Sequence, residues 1–140
     1  MEVRIAIAEA DVRAAFLVMV QLRPHLSEDE FVVRVGRQSA AGYHLAVLDD
    51  GGRVVAAAGY RFHETLVWGK LLYVDDLVTA ESDRSRGYGQ FLFDWLFQQA
   101  RDADCHEFHL DSGVQRFAAH RFYLRNRMRI SSHHFSLELE

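Results

Sequence analysis

Arg84-Ser85-Arg86-Gly87-Tyr88-Gly89 is the stretch of this chain whose residue types and spacing carry the most chemistry. Gly87 and Gly89 permit backbone geometry that a side chain would forbid, and they let a ligand come close to the main chain. The residues after them read as an amphipathic helix. The turn therefore delivers N–H groups that lack partners inside the helix and lie at its positive end. Such a terminus suits an anion, phosphate best, and Arg84 and Arg86 add formal positive charge beside it. A phosphorylated ligand is expected. A Walker loop would need Lys and then Ser or Thr after its second glycine, where Gln90-Phe91 stand, and a dinucleotide fingerprint would need a small residue in place of Leu92.

The elements that position this turn follow from periodicity. Glu2 to Ala8 alternates as a half-buried strand, and Asp11 to Leu22 carries a helical apolar stripe with Pro24 close behind. Ser27-x-x-Glu30 is a capping box for a second helix that Ala41-Gly42 stops. Tyr43 to Leu48 and Arg53 to Phe62 read as strands joined by the hairpin turn Asp49-Asp50-Gly51-Gly52, and Leu71 to Thr79 is the strand that enters the glycine turn. Beyond the turn, Gly87 to Asp104 is a helix burying Phe91, Leu92, Trp95, Leu96 and Ala100, with Phe93 and Phe97 widening the stripe. Glu107 to Leu110 is a short strand reached by a crossover and hence parallel to the one before it. Gln115 to Arg125 predicts a last helix and His133 to Leu139 a closing strand. The expected fold is α/β: one domain over residues 1–140, with a mixed, mostly antiparallel central sheet, helices on both faces and a ligand cleft outside the carboxyl ends of the parallel strands.

The turn closely resembles the acetyl-CoA loop of the GCN5-related N-acetyltransferases, whose pattern is (Arg/Gln)-x-x-Gly-x-(Gly/Ala) between a strand and a long helix. The resemblance spans essentially the whole chain. On the last helix the family often carries Asn-x-x-Ala-x-x-x-Tyr, and here Arg116-Phe117-Ala118-Ala119-His120-Arg121-Phe122-Tyr123 keeps the Ala-x-x-x-Tyr spacing from Ala119 but puts Arg116 in the Asn position. After the Tyr the family usually shows Gly-Phe, where this chain has Met128-Arg129-Ile130. The resemblance implies that acetyl-CoA lies in a V-shaped opening where a splayed parallel strand pair, Leu71–Thr79 and Glu107–Leu110, parts. Main-chain groups of Leu77, Val78 and Thr79 would pair with its pantetheine arm, and N–H groups of Arg84, Ser85, Arg86, Gly87, Tyr88 and Gly89 would hold its pyrophosphate.

The reaction so implied is direct attack of a primary amine on the thioester in a ternary complex. A lysine-like amine of pKa ~10.4 is neutral in only about one molecule in 2,500 at pH 7, a penalty of roughly 4.6 kcal/mol, so a base or a water chain to one is useful. Asp75 and Asp76 are the candidates, with Glu64 a third. Strand alternation sends the two aspartates to opposite faces, Asp75 with Tyr73 and Leu77, Asp76 with Val74 and Val78. The family's acting carboxylate lies on the former face, which favours Asp75. The resemblance also implies an oxyanion donor from the backbone near Leu77 and Tyr123 as the acid that protonates the departing thiolate. A non-catalytic acyl-CoA-binding module on the same scaffold is the alternative.

Composition limits the partners. Forty-nine per cent hydrophobic residues in a 140-residue chain is the content of an ordinary globule, and a net charge of −4 with no Lys/Arg block argues against nucleic acid, tRNA included. No eighteen-residue apolar run and no signal-like N-terminus occur, so no membrane association and a cytoplasmic location are expected. Cys105 is the only cysteine, and His133 and His134 point to opposite faces of a strand, so no metal site is expected. The acceptor that the resemblance implies is a small-molecule or protein amine. Phe62, His63, Leu66 and Trp68 suggest a partly aromatic wall for it, while Val67 and Trp68 could instead form a homodimer interface.

Overall fold

The computed structural model describes residues 1–81 and 86–140. Their elements run β1 (Glu2–Ile5), α1 (Glu9–Leu22), α2 (Glu28–Ala40), β2 (His44–Asp50), β3 (Arg53–Thr65), β4 (Gly69–Thr79), α3 (Tyr88–Asp102), β5 (Glu107–Leu110) and α4 (Phe117–Arg125). The chain forms two compact units, Met1–His109 and Leu110–Glu140.

The five strands lie in sequence order, β1 to β4 antiparallel and β5 parallel to β4. Local chemistry explains the joints. Ser27 caps α2, its hydroxyl accepting from the Glu30 N–H at 3.2 Å, the first bond of the expected capping box, while it donates to the Glu30 carboxylate. At the β2–β3 hairpin Gly51 and Gly52 take φ of 64° and 85°, and the Gly52 N–H donates to Asp49 at 2.8 Å.

One face of the sheet packs on α1 and α2. Tyr43, Leu45, Val47, Ala57 and Val78 share a buried cluster there with Val12, Ala15, Met19 and Phe31. The opposite face takes α3, where Leu92, Phe93 and Leu96 are fully buried and the Tyr60 ring meets Trp95 edge-on at 5.9 Å. Phe93, Phe97 and Phe108 stack into an aromatic cluster with centroids 4.6 to 5.3 Å apart. Phe91, expected inside, is 39% exposed. The helix turns a face centred on Leu92, Phe93, Leu96 and Ala100 to the sheet, which puts Phe91 at its rim.

Two further expectations change. No strand follows α4: residues 129–140 carry no sheet pairing, although Phe135, Leu137 and Leu139 keep the alternation that suggested one. Alternation supplies a strand's two faces but not the neighbour whose N–H and C=O groups complete it. β4 is also not a regular ladder. Gly59 stands opposite Asp76 and Tyr60 opposite Val74, so Asp75 is the extra residue of a β-bulge.

Candidate active site

The bulge redirects the carboxylates. A regular strand would separate Asp75 and Asp76, but one extra residue reverses the alternation, and both side chains emerge on the α1/α2 face. There they meet different partners. Arg61, from β3, grips Asp75 with its Nε at 3.1 and 3.2 Å from the two carboxylate oxygens and a terminal nitrogen at 2.7 Å, and the same nitrogen donates to Gln38 of α2 at 2.9 Å. Asp76 accepts from the Tyr43 hydroxyl at 2.7 Å and from Arg23 Nε at 3.0 Å. Arg23, just past the end of α1, also donates to the Asp75 carbonyl at 3.1 Å. The two aspartates expected on separate faces thus belong to one network of two guanidiniums, a phenol and an amide.

The electrostatics are consistent with a closed network. Its hydrogen bond to Asp75 raises the Arg61 pKa further, so that guanidinium stays charged throughout. Burial, reinforced by the Asp76 charge, pushes the Tyr43 phenol well above its ordinary value, so it remains a donor. The Arg61 guanidinium lies 5.4 Å from the centre of the Tyr43 ring, an added cation–π contact. Sequence reasoning identified the carboxylates but not Arg23, Arg61 or Tyr43. The available signal was Gly59: a Cβ there would lie 1.7 Å from the Tyr43 hydroxyl oxygen, so a glycine in mid-strand marks the approach of another group.

The described part of the glycine turn, Arg86 to Gly89, lies by the carboxyl end of β4. Arg84 and Ser85 lie outside the described residues. Gly87 is the N-cap of α3 with φ 83° and ψ 4°, and among the described residues no side chain caps the helix. A Cβ at Gly87 would touch nothing within 4 Å, so conformation and not packing calls for glycine there. At Gly89 a Cβ would stand 3.2 Å from Thr79 Oγ1, which places the first turn of α3 against the last residue of β4. Tyr88 is buried, and its hydroxyl donates to Asp50 at 2.5 Å, fastening the turn to the end of β2. That bond to Asp50 raises the Tyr88 pKa. Arg86 beside it is exposed.

Leu77, Val78 and Thr79 pair with Ala58, Ala57 and Ala56 of β3 along one edge of β4. On the other edge β5 begins where the His106 N–H donates to the Lys70 carbonyl at 2.8 Å, and it lasts only four residues. β4 runs on past it, so among the described residues this part of β4 has no strand on its outer side. A strand edge without a strand partner, leading to a helix N-terminus without a side-chain cap among the described residues, suits an extended ligand that carries amides at one end and phosphates at the other.

Tyr123 lies on α4 in the second unit. It is half-buried, and burial raises its phenol pKa, with Arg116 acting in the opposite sense. Arg116 is the N-cap residue of α4, its N–H donating to the Gly113 carbonyl at 3.0 Å. His120 lies 2.8 Å from that same carbonyl through Nε2. On the β3–β4 hairpin, Phe62, His63, Glu64 and Lys70 line a shallow cavity of about 270 Å³, Trp68 stacks on His109 with ring centres 4.2 Å apart, and Leu66 and Val67 are exposed.

The sequence profile described as the Acetyltransferase (GNAT) family matches residues 10–127. An uncharacterised N-acetyltransferase of Bacillus subtilis (strain 168), YhdJ, is 33% identical over 110 residues, 78% of each chain. Among solved structures, a Trypanosoma brucei acetyltransferase superposes with a TM-score of 0.79 at 24% identity, covering 99% of both chains. AAC(6')-Iy in complex with the bisubstrate analogue CoA-S-monomethyl-acetylneamine superposes with a TM-score of 0.84 at 12% identity, covering 99% of this chain and 97% of that one. The structural likenesses speak for the fold, the profile and the bacterial relative for descent. With the profile spanning both the β4–turn–α3 site and the Tyr123 helix, the chain belongs to the Acetyltransferase (GNAT) family and is an N-acetyltransferase.

Proposed function

We propose that the chain transfers an acetyl group from acetyl-CoA to a primary amine, of a small molecule or a protein, by direct attack in a ternary complex in the cytoplasm. The observation that carries this reading is the approach of Gly89 to Thr79, which brings a helix terminus with no side-chain cap among the described residues to the end of a strand edge that has no strand partner there. Main-chain groups of Leu77, Val78 and Thr79 would take the pantetheine arm, and the N–H groups from Arg84 through Gly89 the pyrophosphate. The YhdJ relative and the CoA-analogue complex of AAC(6')-Iy support the donor and the class of acceptor.

Direct attack is favoured over an acyl-cysteine because burial pushes the thiol of the only cysteine, Cys105, up and away from thiolate. Tyr123, its phenol kept protonated, serves as the acid for the departing thiolate. Asp75 and Asp76 are already engaged by Arg61, Arg23 and Tyr43, so they take the amine's proton through water rather than by direct contact. That same engagement favours a second reading, a module that binds acyl-CoA without turnover.

The test is a panel of amines with acetyl-CoA, monitored by released thiol and run beside calorimetry. Turnover that depends on Tyr123 establishes the enzyme. Heat with CoA but no turnover on any amine establishes the binding module. An absence of heat removes both.

A further inference from the structure

Two side chains from the end of α1 take hold of β4 on either side of Leu77–Thr79. Arg23 Nε donates to Asp76 at 3.0 Å, and a terminal nitrogen of the same guanidinium donates to the Asp75 carbonyl at 3.1 Å. Gln21 accepts from the Glu81 N–H at 2.7 Å, just past Thr79, the last residue of β4. Its amide nitrogen donates to the Leu17 carbonyl at 3.3 Å, which turns the amide oxygen toward Glu81. Between these holds Leu77, Val78 and Thr79 pair with β3, and the Ala80 N–H donates to the Val55 carbonyl at 2.8 Å, while among the described residues no strand lies along the outer edge.

The two holds act on different parts of the strand. Asp75 is the extra residue of the bulge, and a bulged residue lacks the ladder partner that would fix its peptide plane. Arg23 supplies a donor for its carbonyl. Because the peptide is planar and trans, orienting that carbonyl also sets the direction of the Asp76 N–H, and with it the lie of the strand as it enters Leu77. Gln21 acts at the other end, where β4 leads to the glycine turn. Neither contact does much for folding: the Arg23 side chain is 41% exposed and the Gln21 bond lies in solvent, where single pairs contribute little. Their effect falls on alignment, and a displacement of about 1 Å at a reacting centre costs on the order of 100-fold in rate.

We infer that Arg23 and Gln21 are positioning residues for acetyl transfer, Arg23 aligning the thioester end of the strand and Gln21 the end nearest the pyrophosphate. The inference rests on the proposed reading, in which main-chain groups of Leu77, Val78 and Thr79 take the pantetheine arm. Neither side chain is assigned a contact with the donor; each acts through the main chain of β4. Loss of Arg23 therefore slows the chemical step, whereas loss of Gln21 loosens the donor.

Steady-state kinetics with acetyl-CoA and the best amine of the panel, beside calorimetry with coenzyme A, test the split. Arg23→Ala should lower kcat about 30-fold with coenzyme A affinity kept within about threefold, and Gln21→Ala should weaken coenzyme A about tenfold while lowering kcat less than Arg23→Ala does. Parallel losses of both quantities in both variants, or no loss in either, overturn the inference, because a merely structural role would move the two together. The Arg23→Ala deficit should persist from pH 7 to about 9. A deficit that vanishes at the higher pH, where more of the amine is already neutral, overturns it too, since Arg23 would then serve Asp76 as proton acceptor and not the strand. If Arg23→Ala does not fold, Arg23→Lys decides, because one ammonium keeps the charge beside Asp76 without the fork that also reaches the Asp75 carbonyl. A lowered kcat at unchanged coenzyme A affinity in Arg23→Lys upholds the inference, and a wild-type kcat or a parallel loss overturns it. A wild-type chain that gives no heat with coenzyme A, or heat without turnover, removes the transfer reading and this inference together, whereas wild-type turnover with variants that fail to separate removes the inference alone.

Discussion

Tyr43 donates to Asp76 across 2.7 Å, through a space that exists only because residue 59 has no side chain. A Cβ on Gly59 would lie 1.7 Å from the phenol oxygen and 2.6 Å from the carboxylate. Gly59→Ala must therefore displace a buried tyrosine from its partner. The cost should be about 2–4 kcal/mol, combining overpacking with the loss of the partner of a buried phenol. Urea unfolding measures it, and the penalty should shrink in a Tyr43→Ala background if the contact is its source. An unchanged midpoint would refute the geometry.

Alkaline pH should unfold this protein early. Tyr43, Tyr60 and Tyr123 all titrate above their ordinary value in the folded chain because burial disfavours the phenolate, Tyr60 at about 12. Raised folded values mean that the unfolded chain loses protons first. The stabilisation is thus complete below pH ~10 and declines as pH rises from there toward the folded values, by up to about 1.4 kcal/mol per pH unit for each tyrosine. Denaturant midpoints between pH 9 and 12 should fall, and Tyr60→Phe should flatten the fall by about one proton's worth.

Gly87 and Gly89 should respond differently to substitution. Gly87 needs its positive φ and has open space around it, so Gly87→Asn, which tolerates that conformation, should keep measurable coenzyme A binding while Gly87→Val loses it. Gly89 is limited by Thr79 instead, and Gly89→Ala should be partly rescued by Thr79→Ala. Calorimetry with coenzyme A reads both series. Equal losses for Gly87→Asn and Gly87→Val would show that space, not conformation, is limiting.

Tyr123→Phe should lower kcat about 100-fold while leaving coenzyme A affinity within a factor of three, as expected for a proton donor to the leaving group. Asp75→Asn should behave in the opposite way. It removes the partner of Arg61, so stability should drop by about 1–2 kcal/mol after allowance for solvent at the partly exposed pair, with kcat falling less than tenfold. Steady-state kinetics beside thermal melts separate the two. A 100-fold loss of kcat in Asp75→Asn would make that carboxylate the direct base.

The glycine turn, five strands and four helices were legible in the sequence because each is written locally, in caps, turn residues and short-range alternation. The face of Asp75 was not. Alternation assumes one residue opposite one residue, and the count at the bulge depends on β3, whose Gly59 and Tyr60 face Asp76 and Val74. Arg23 and Arg61 escaped notice for a similar reason, lying 53 residues from Asp76 and 14 from Asp75, distances no pattern spans. The tail's alternation was visible, while its lack of a neighbour could be learned only from the sheet. Phe91 was misplaced because a helix rich in aromatics has no sharp boundary to its apolar stripe.

Because the Tyr88 hydroxyl is tied to Asp50, the turn proposed to hold the pyrophosphate and the tip of the first hairpin share a single rivet. Anything that settles into the turn and steadies Tyr88 should quieten Gly51 and Gly52 as well, although neither glycine belongs to the turn. The hairpin tip thus becomes a remote gauge of occupancy, and slowed amide exchange at those two positions on titration would register loading before any product forms.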